Sequence, residues 1–353
     1  MLLCVERKDA TSARLLTHPA LQLSEDRPAL VLAPMQEITT LPFWTCVAAR
    51  GGPDLYVTEY FRVHTDSTPE PKILRSLDQN PSGRPALAQM IGRDIPAMVR
   101  TIGQLLEHPV AGVDLNLGCP APTVCSKQAG GGLLRNPAEI DSILGALREA
   151  VPADRAFTVK TRIGWQDPAE FDELLAVFQK HSIDALAVHG RTVKERYATS
   201  VHYDRIRDAV EAMDCPVFAN GNIVSPERAQ QVVVDTAAAG LMIGRGGIRN
   251  PWLFDQIRGT RSTGPTLREM KAYIEHLSEQ TKPAKGYDDL RHTRQLKRFL
   301  NYIAQGISDG EFLTEVQHCQ DSETFREICQ RHLDSDELLP PDPPTTTKYF
   351  QGL

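Results

Sequence analysis

One thiol stands apart in the run Asp114-Leu-Asn-Leu-Gly-Cys-Pro120. An apolar strand pattern over 112–117 stops at Gly118, and Pro120 bars simple continuation of the strand. Cys119 is therefore expected at the exposed end of a strand. It precedes a polar loop and the triplet Gly130-Gly-Gly132, where something bulky can approach the backbone. A cysteine so placed can act as a nucleophile or move a proton. The bland alternative is a structural cysteine in a turn, since most cysteines are small buried apolar residues. Other polar groups fall in step with it. Pro34-Met35, Glu59, Gln89, Asn116, Lys160 with Arg162, His189 with Arg191, Asn220 and Gly244-Arg245 each end a short apolar run. One such residue is background, whereas a series in step implies a ring of side chains around one pocket.

The elements that would position this ring repeat from about residue 29 to 250. Strand candidates cover 29–35, 54–60, 85–91, 112–117, 156–163, 184–189, 216–219 and 239–243. Several are continuous apolar runs, as expected of parallel strands covered on both faces. Helix patterns lie between them. Pro137 follows Asn136 at a first helical position, Ser225-Pro226 opens another helix, and 168–181 is a third. Eight β-then-α units predict a (β/α)8 TIM barrel, whose active site lies at the C-terminal strand ends. The turns Asn220-Gly-Asn222 and Gly244-Arg-Gly-Gly247 follow strands seven and eight, where such barrels bind phosphate, and Arg245 adds a fork of donors. The alternative is a pair of tight turns with no ligand.

Composition sets outer bounds. The 353 residues are 41% hydrophobic and 24% charged, enough for a large core and against wholesale disorder. The net charge of −6 argues against a dedicated nucleic-acid binder unless a basic face is local. Seven scattered cysteines without a CxxC pair read as reduced thiols of a cytoplasmic protein, with no metal site expected. No apolar run reaches the ~20 residues of a membrane helix. The opening Met-Leu-Leu-Cys-Val carries its charges after the apolar run, the wrong order for a signal peptide.

Read in order, Ala33-Pro-Met35, Leu115-Asn-Leu-Gly-Cys-Pro120, Gly130-Gly-Gly-Leu-Leu134, Val159-Lys-Thr-Arg162, Val188-His-Gly-Arg-Thr192, Ala219-Asn-Gly221, Ile243-Gly-Arg-Gly246 and Asn250-Pro-Trp-Leu-Phe254 resemble the tRNA-dihydrouridine synthases. These are FMN-dependent enzymes that reduce uridine in tRNA. Thr58-Glu-Tyr-Phe-Arg-Val63 and Pro81-Ser-Gly83 look most like the bacterial dihydrouridine synthase C group. The resemblance implies FMN against Pro34 and Met35, with Gln89, Lys160 and His189 at the isoalloxazine edge. It places the phosphate at Asn220, Gly221, Asn222, Gly244 and Arg245, and the target uracil at Asn116. NADPH would be the reductant. Hydride would pass from flavin N5 to uracil C6, and Cys119 would give the proton to C5, a role that needs a protonated thiol. Three positions depart from the family. Gln36-Glu37 follows Ala-Pro-Met where a small residue and glycine are usual. Asn222 replaces an acidic residue, and Arg249 replaces a glycine.

Domain boundaries follow. Residues 1–28 form an N-terminal extension, 29–259 the barrel, 266–333 a smaller all-helical domain, and 334–353 a disordered tail. In the helical domain Leu296, Phe299, Leu300 and Ile303 share one face. Residues 282–298 carry six Lys/Arg (282, 285, 291, 294, 297, 298) against Asp288 and Asp289, a local excess of +4. The resemblance makes this the tRNA-binding domain, with Arg291, Arg294, Lys297 and Arg298 on the RNA and Arg162 and Arg191 at the barrel rim. The plain alternative is a solvated helix face. A monomer with no protein partner is expected. Rival functions are an FMN barrel reductase acting on a small free molecule, a tRNA chaperone with a vestigial barrel, and a Schiff-base aldolase using Lys160.

Overall fold

The computed structural model describes residues 17–283 and 286–347. Nine parallel strand segments are β1 (Ala29–Leu32), β2 (Tyr56–Val57), β3 (Phe61–Arg62), β4 (Ala86–Ile91), β5 (Gly112–Leu117), β6 (Ala156–Arg162), β7 (Ala185–His189), β8 (Val217–Asn220) and β9 (Gly240–Ile243). They pair in the order β1-β9-β8-β7-β6-β5-β4-β2, and a bridge between Val31 and Leu55 closes the ring. The expected (β/α)8 barrel is present. Its second strand differs from expectation, because β2 and β3 pair with the two ends of β4 and leave Thr58–Glu59–Tyr60 between them. The Thr58 hydroxyl there accepts from Gln89 N at 3.0 Å, standing in for a ladder carbonyl.

The helices start where the sequence marks them. Asn136 accepts from Glu139 N at 3.3 Å and Ser225 from Arg228 N at 3.4 Å, each with proline in the first turn. Small and branched residues (Ala29, Val31, Leu55, Val57, Leu87, Ala156, Ala185, Ala187) fill the barrel, and Leu21 joins them from the short turn Pro19–Leu21. That part of the N-terminal extension therefore plugs the barrel floor. Residues 1–16, including Cys4, lie outside the described residues. No helix among the described residues is long and apolar enough to cross a membrane.

Four further helices, Leu267–Thr281, Asp289–Ile303, Glu311–His318 and Ser322–Leu333, form the helical domain. It shares one apolar core with the barrel. Phe43 stacks on Phe299 at 6.2 Å, and the Arg50 guanidinium lies 5.1 Å from both the Trp252 and the Tyr273 ring centroids. Buried Arg249 ties the two parts by donating to Gln305 O at 3.0 Å and Pro341 O at 3.2 Å. The departure at position 249 thereby has a structural reason, since a long cation reaches carbonyls that glycine could not.

The disordered tail expected over 334–353 is corrected over 334–347. Leu267 N donates to Glu337 O and Leu339 N to Pro265 O, both at 2.8 Å, and Leu339 is buried. Prolines and acids suggested disorder, but one apolar residue and paired backbone groups suffice to dock the segment. Residues 348–353 lie outside the described residues.

Candidate active site

The C-terminal ends of the strands surround a cavity of about 530 Å³. β1 delivers Pro34 and Met35, β5 Asn116 and Cys119, and β6 Lys160 and Arg162. β7 delivers His189, β8 leads to Asn220, Gly221 and Asn222, and β9 to Gly244 and Arg245. The volume suits a cofactor or drug-sized ligand.

Close packing holds Cys119 in place. Its backbone N donates to Asn116 Oδ1 at 3.0 Å, as does Gly118 N, and its carbonyl accepts from Gly131 N at 3.1 Å. A Cβ on Gly131 would come within 2.8 Å of that carbonyl and 2.7 Å of Val193, so the glycine lets the loop close over the thiol. Cys125 is buried behind it, donates its thiol to Cys119 O at 3.4 Å, and is raised in pKa chiefly by burial. Of the six described cysteines, Cys119 alone is more than marginally exposed.

The cavity is cationic. Burial pulls Lys160 down to about 8, helped by Arg162 and opposed by Asp114. Lys160 Nζ lies 3.4 Å from Asn220 Oδ1, whose amide in turn donates to Met242 O at 2.7 Å. Burial first, and then Arg162, Lys160, Arg191 and Arg245, push His189 well below its usual range, so the imidazole is neutral at pH 7. Arg191 Nη1 lies 3.3 Å from His189 Nε2. Arginine only donates, so Nε2 accepts and the ring proton sits on Nδ1. Asn222 adopts φ +51° and accepts through Oδ1 from Arg245 Nη2 at 3.0 Å and Arg191 Nη2 at 3.2 Å. Several positive groups around one cavity favour an anionic, phosphorylated ligand.

These features meet a clear pattern among known proteins. Residues 31–336 match the dihydrouridine synthase family. The chain belongs to that family. It is thus one of a family of oxidoreductases. The tRNA-dihydrouridine synthase B of Pseudomonas putida is 37% identical over 308 residues, covering 84% of this chain and 89% of the relative. A tRNA-dihydrouridine(16) synthase of Shewanella oneidensis is 30% identical, covering 80% and 91%. Relatives of both kinds align over most of the chain, so the expected leaning towards the C group is not singled out. Among solved structures, a 2-naphthoyl-CoA reductase complex superposes with TM-score 0.56 at 11% identity, over 88% of this chain and 68% of that one. Histamine dehydrogenase from a Rhizobium species gives 0.54 at 12%, over 87% and 62%. At such identities the likeness is one of fold.

Several expected site residues are engaged by other parts of the chain. Gln89 is fully enclosed and does not line the cavity; its amide is held by Asp114 and Asn116. Arg162 lines the cavity but is buried, donating to Gly118 O at 3.0 Å and to Thr192 O and Arg196 O at 2.9 Å. Arg191 is buried as well and donates to Thr199 O at 2.7 Å. Both therefore brace loops and neither is presented on the outer surface, although Arg162 faces the cavity. Lys297 is likewise spent on the carbonyls of Gln317 and Cys319. Arg298 pairs with Glu37, whose own N–H donates to Glu59; Glu37 holds φ +62° where glycine is the family habit. Arg291 and Arg294 are exposed on the helix Asp289–Ile303. Lys285 lies outside the described residues.

Three tyrosines were missed from the sequence. Tyr60 lines the cavity beside Cys119, and its phenol is raised by burial first and by that cysteine second. Tyr197 stands among His189 (5.8 Å), Arg162 (5.3 Å) and Arg245 (4.9 Å). Tyr302 reaches the cavity from the helical domain. Tyr60 follows Glu59 directly and could have been found by allowing a one-residue shift at the strand end. Tyr302 carries no local signal, because only the docking of two distant segments brings it there.

Proposed function

We propose that this chain reduces a D-loop uridine of tRNA to 5,6-dihydrouridine, with FMN as cofactor and NADPH as reductant. The observation that carries the reading is one cavity combining an accessible thiol, Cys119, with the cations Lys160, Arg162 and Arg245. Two relatives named for tRNA-dihydrouridine synthesis support the substrate. The residues fit FMN, because the donor set is cationic and Gly244 lets the turn come close to Met35, with an added Cβ only 3.3 Å from its Sδ. Pro34, Met35, Lys160 and His189 would frame the ring, Asn220, Gly221, Asn222, Gly244 and Arg245 the phosphate, and Gln89 would act through Asn116. Bound FMN would supply the hydride received at uracil C6.

The chain's own part is proton delivery and placement. Asn116 has both Oδ1 lone pairs engaged by Gly118 and Cys119 and one Nδ2 hydrogen engaged by Gln89, leaving one hydrogen for a uracil oxygen. The Cys119 S–H bond breaks as the new C–H bond forms at C5, and the thiolate remains next to Tyr60. Lys160, protonated below about 8, favours negative charge on a ligand beside it. Arg291 and Arg294 would meet phosphates of the RNA, since the helix that carries them also sends Tyr302 into the cavity.

Cys119→Ala tests the reading. The variant should bind FMN and be reduced by NADPH as the wild type is, while dihydrouridine formation in unmodified tRNA falls about 10²–10⁴-fold. Recovery of FAD from the purified protein, or equal loss in both half-reactions, would overturn it.

A further inference from the structure

A chain of buried hydrogen bonds runs sideways through the barrel beneath the cavity. Strand register sets Gln89 beside Asp114 and Asp114 beside Thr158, on β4, β5 and β6. Thr158 Oγ1 donates to Asp114 Oδ1 at 2.6 Å, and Gln89 Nε2 donates to Asp114 Oδ2 at 2.7 Å. Asn116 Nδ2 donates to Gln89 Oε1 at 2.8 Å. Asn116 Oδ1 then accepts from the backbone N–H groups of Gly118 and Cys119, both at 3.0 Å. Asp114 is 2% exposed and Gln89 0%, so no water competes for these bonds.

Each link dictates the sense of the next. Burial raises Asp114 to about 6, against the hydrogen bonds of Thr158 and Gln89, so above that pH its carboxylate is ionised and only accepts; Gln89 must then turn its NH2 towards Asp114 and its oxygen towards Asn116. Asn116 must then turn its NH2 towards Gln89, which leaves its oxygen for the two peptide N–H groups. Reversing either amide would set donor against donor in a buried place, at the full cost of unpaired polar groups. We propose that Asp114 is a positioning residue which, through Gln89 and Asn116, fixes the backbone at Gly118–Cys119 and so aims the thiol into the cavity. Its bearing on turnover rests on Cys119 being the proton donor.

Asp114 also faces Lys160, whose charge it supports. Two substitutions that both remove the carboxylate charge separate that effect from the relay. Asp114→Asn can still accept from Gln89 through its oxygen and donate to Thr158 Oγ1, so the polarity of the relay survives. Asp114→Leu has similar size and no acceptor. At pH 6.5 Asp114→Asn should retain dihydrouridine formation per reduced flavin within about threefold of its parent. Asp114→Leu should lose about 10²-fold relative to Asp114→Asn, the scale of a small misplacement of a catalytic group. Hydrogen exchange of the segment 116–120, measured in the holoenzyme without tRNA, should speed up in Asp114→Leu and stay slow in Asp114→Asn. Should Asp114→Leu fail to fold, Gln89→Met breaks the relay one link later and should give the same faster exchange. Exchange as slow as wild type in the broken variant overturns the proposal. Faster exchange with unchanged turnover upholds the relay and instead removes Cys119 from the chemistry.

Discussion

Lys160→Met should stabilise the ligand-free protein at neutral pH while impairing its flavin. Lys160 is half-buried on the cavity wall, and its pKa falls from 10.5 to about 8, desolvation being the first cause. The sign follows from linkage. A depressed lysine pKa means that the unfolded chain holds the proton more tightly, so the charged form opposes folding wherever both states are protonated. That penalty is full below about 8 and is relieved as pH rises towards 10.5. A pKa lowered by one is worth ~1.4 kcal/mol, so the full penalty is about 3 kcal/mol. By pH 10 less than about 1 kcal/mol of it is left. Methionine fills similar space without the charge, so urea unfolding of apoprotein at pH 7 should show the variant more stable by about 3 kcal/mol, the gap closing by pH 10. FMN binding and both half-reactions should weaken in the same variant. An apo variant no more stable than wild type at pH 7, or a gap that does not shrink with pH, would refute the argument that Lys160 is held charged at a cost to the fold.

Replacing Arg291 and Arg294 together by Gln should weaken tRNA binding and flatten its log–log salt dependence by about 0.7–0.9 for each phosphate no longer engaged. NADPH oxidation by the bound flavin should not change, and an unchanged salt slope would mean that these exposed charges only solvate the helix. Arg249→Leu removes two donors that hold Gln305 O and Pro341 O. It should lower stability by about 1–3 kcal/mol and speed proteolysis after residue 334, with a wild-type Tm counting against the bracket.

Strand ends and local motifs were legible because each depends on neighbours in the chain. The run 112–117 sets Val113, Leu115 and Leu117 in alternation before a Gly-Cys-Pro stop, so β5 and the place of Cys119 follow from local pattern alone. The same holds for Lys160, two residues before the end of its strand, for His189, Asn220 and Arg245, each at or just beyond a strand end, and for the helix starts at Asn136 and Ser225. Subtler features depended on partners far away in sequence. Arg162, Arg191 and Lys297 looked like RNA contacts because charge in a sequence does not reveal which carbonyls will claim it. A guanidinium or ammonium that meets carbonyls pairs with them; such pairing buries Arg162 and Arg191 and occupies the half-buried Lys297. The segment 334–347 read as disordered by composition, yet docks because Pro265 and Leu267 offer backbone partners. Asp114 looked like one more strand residue. Only the register of β4, β5 and β6 put an amide and a hydroxyl on either side of its carboxylate, and only burial made the direction of those bonds obligatory. Chain-local chemistry thus decided which residues end the strands, while tertiary packing decided which of them remain available to a ligand.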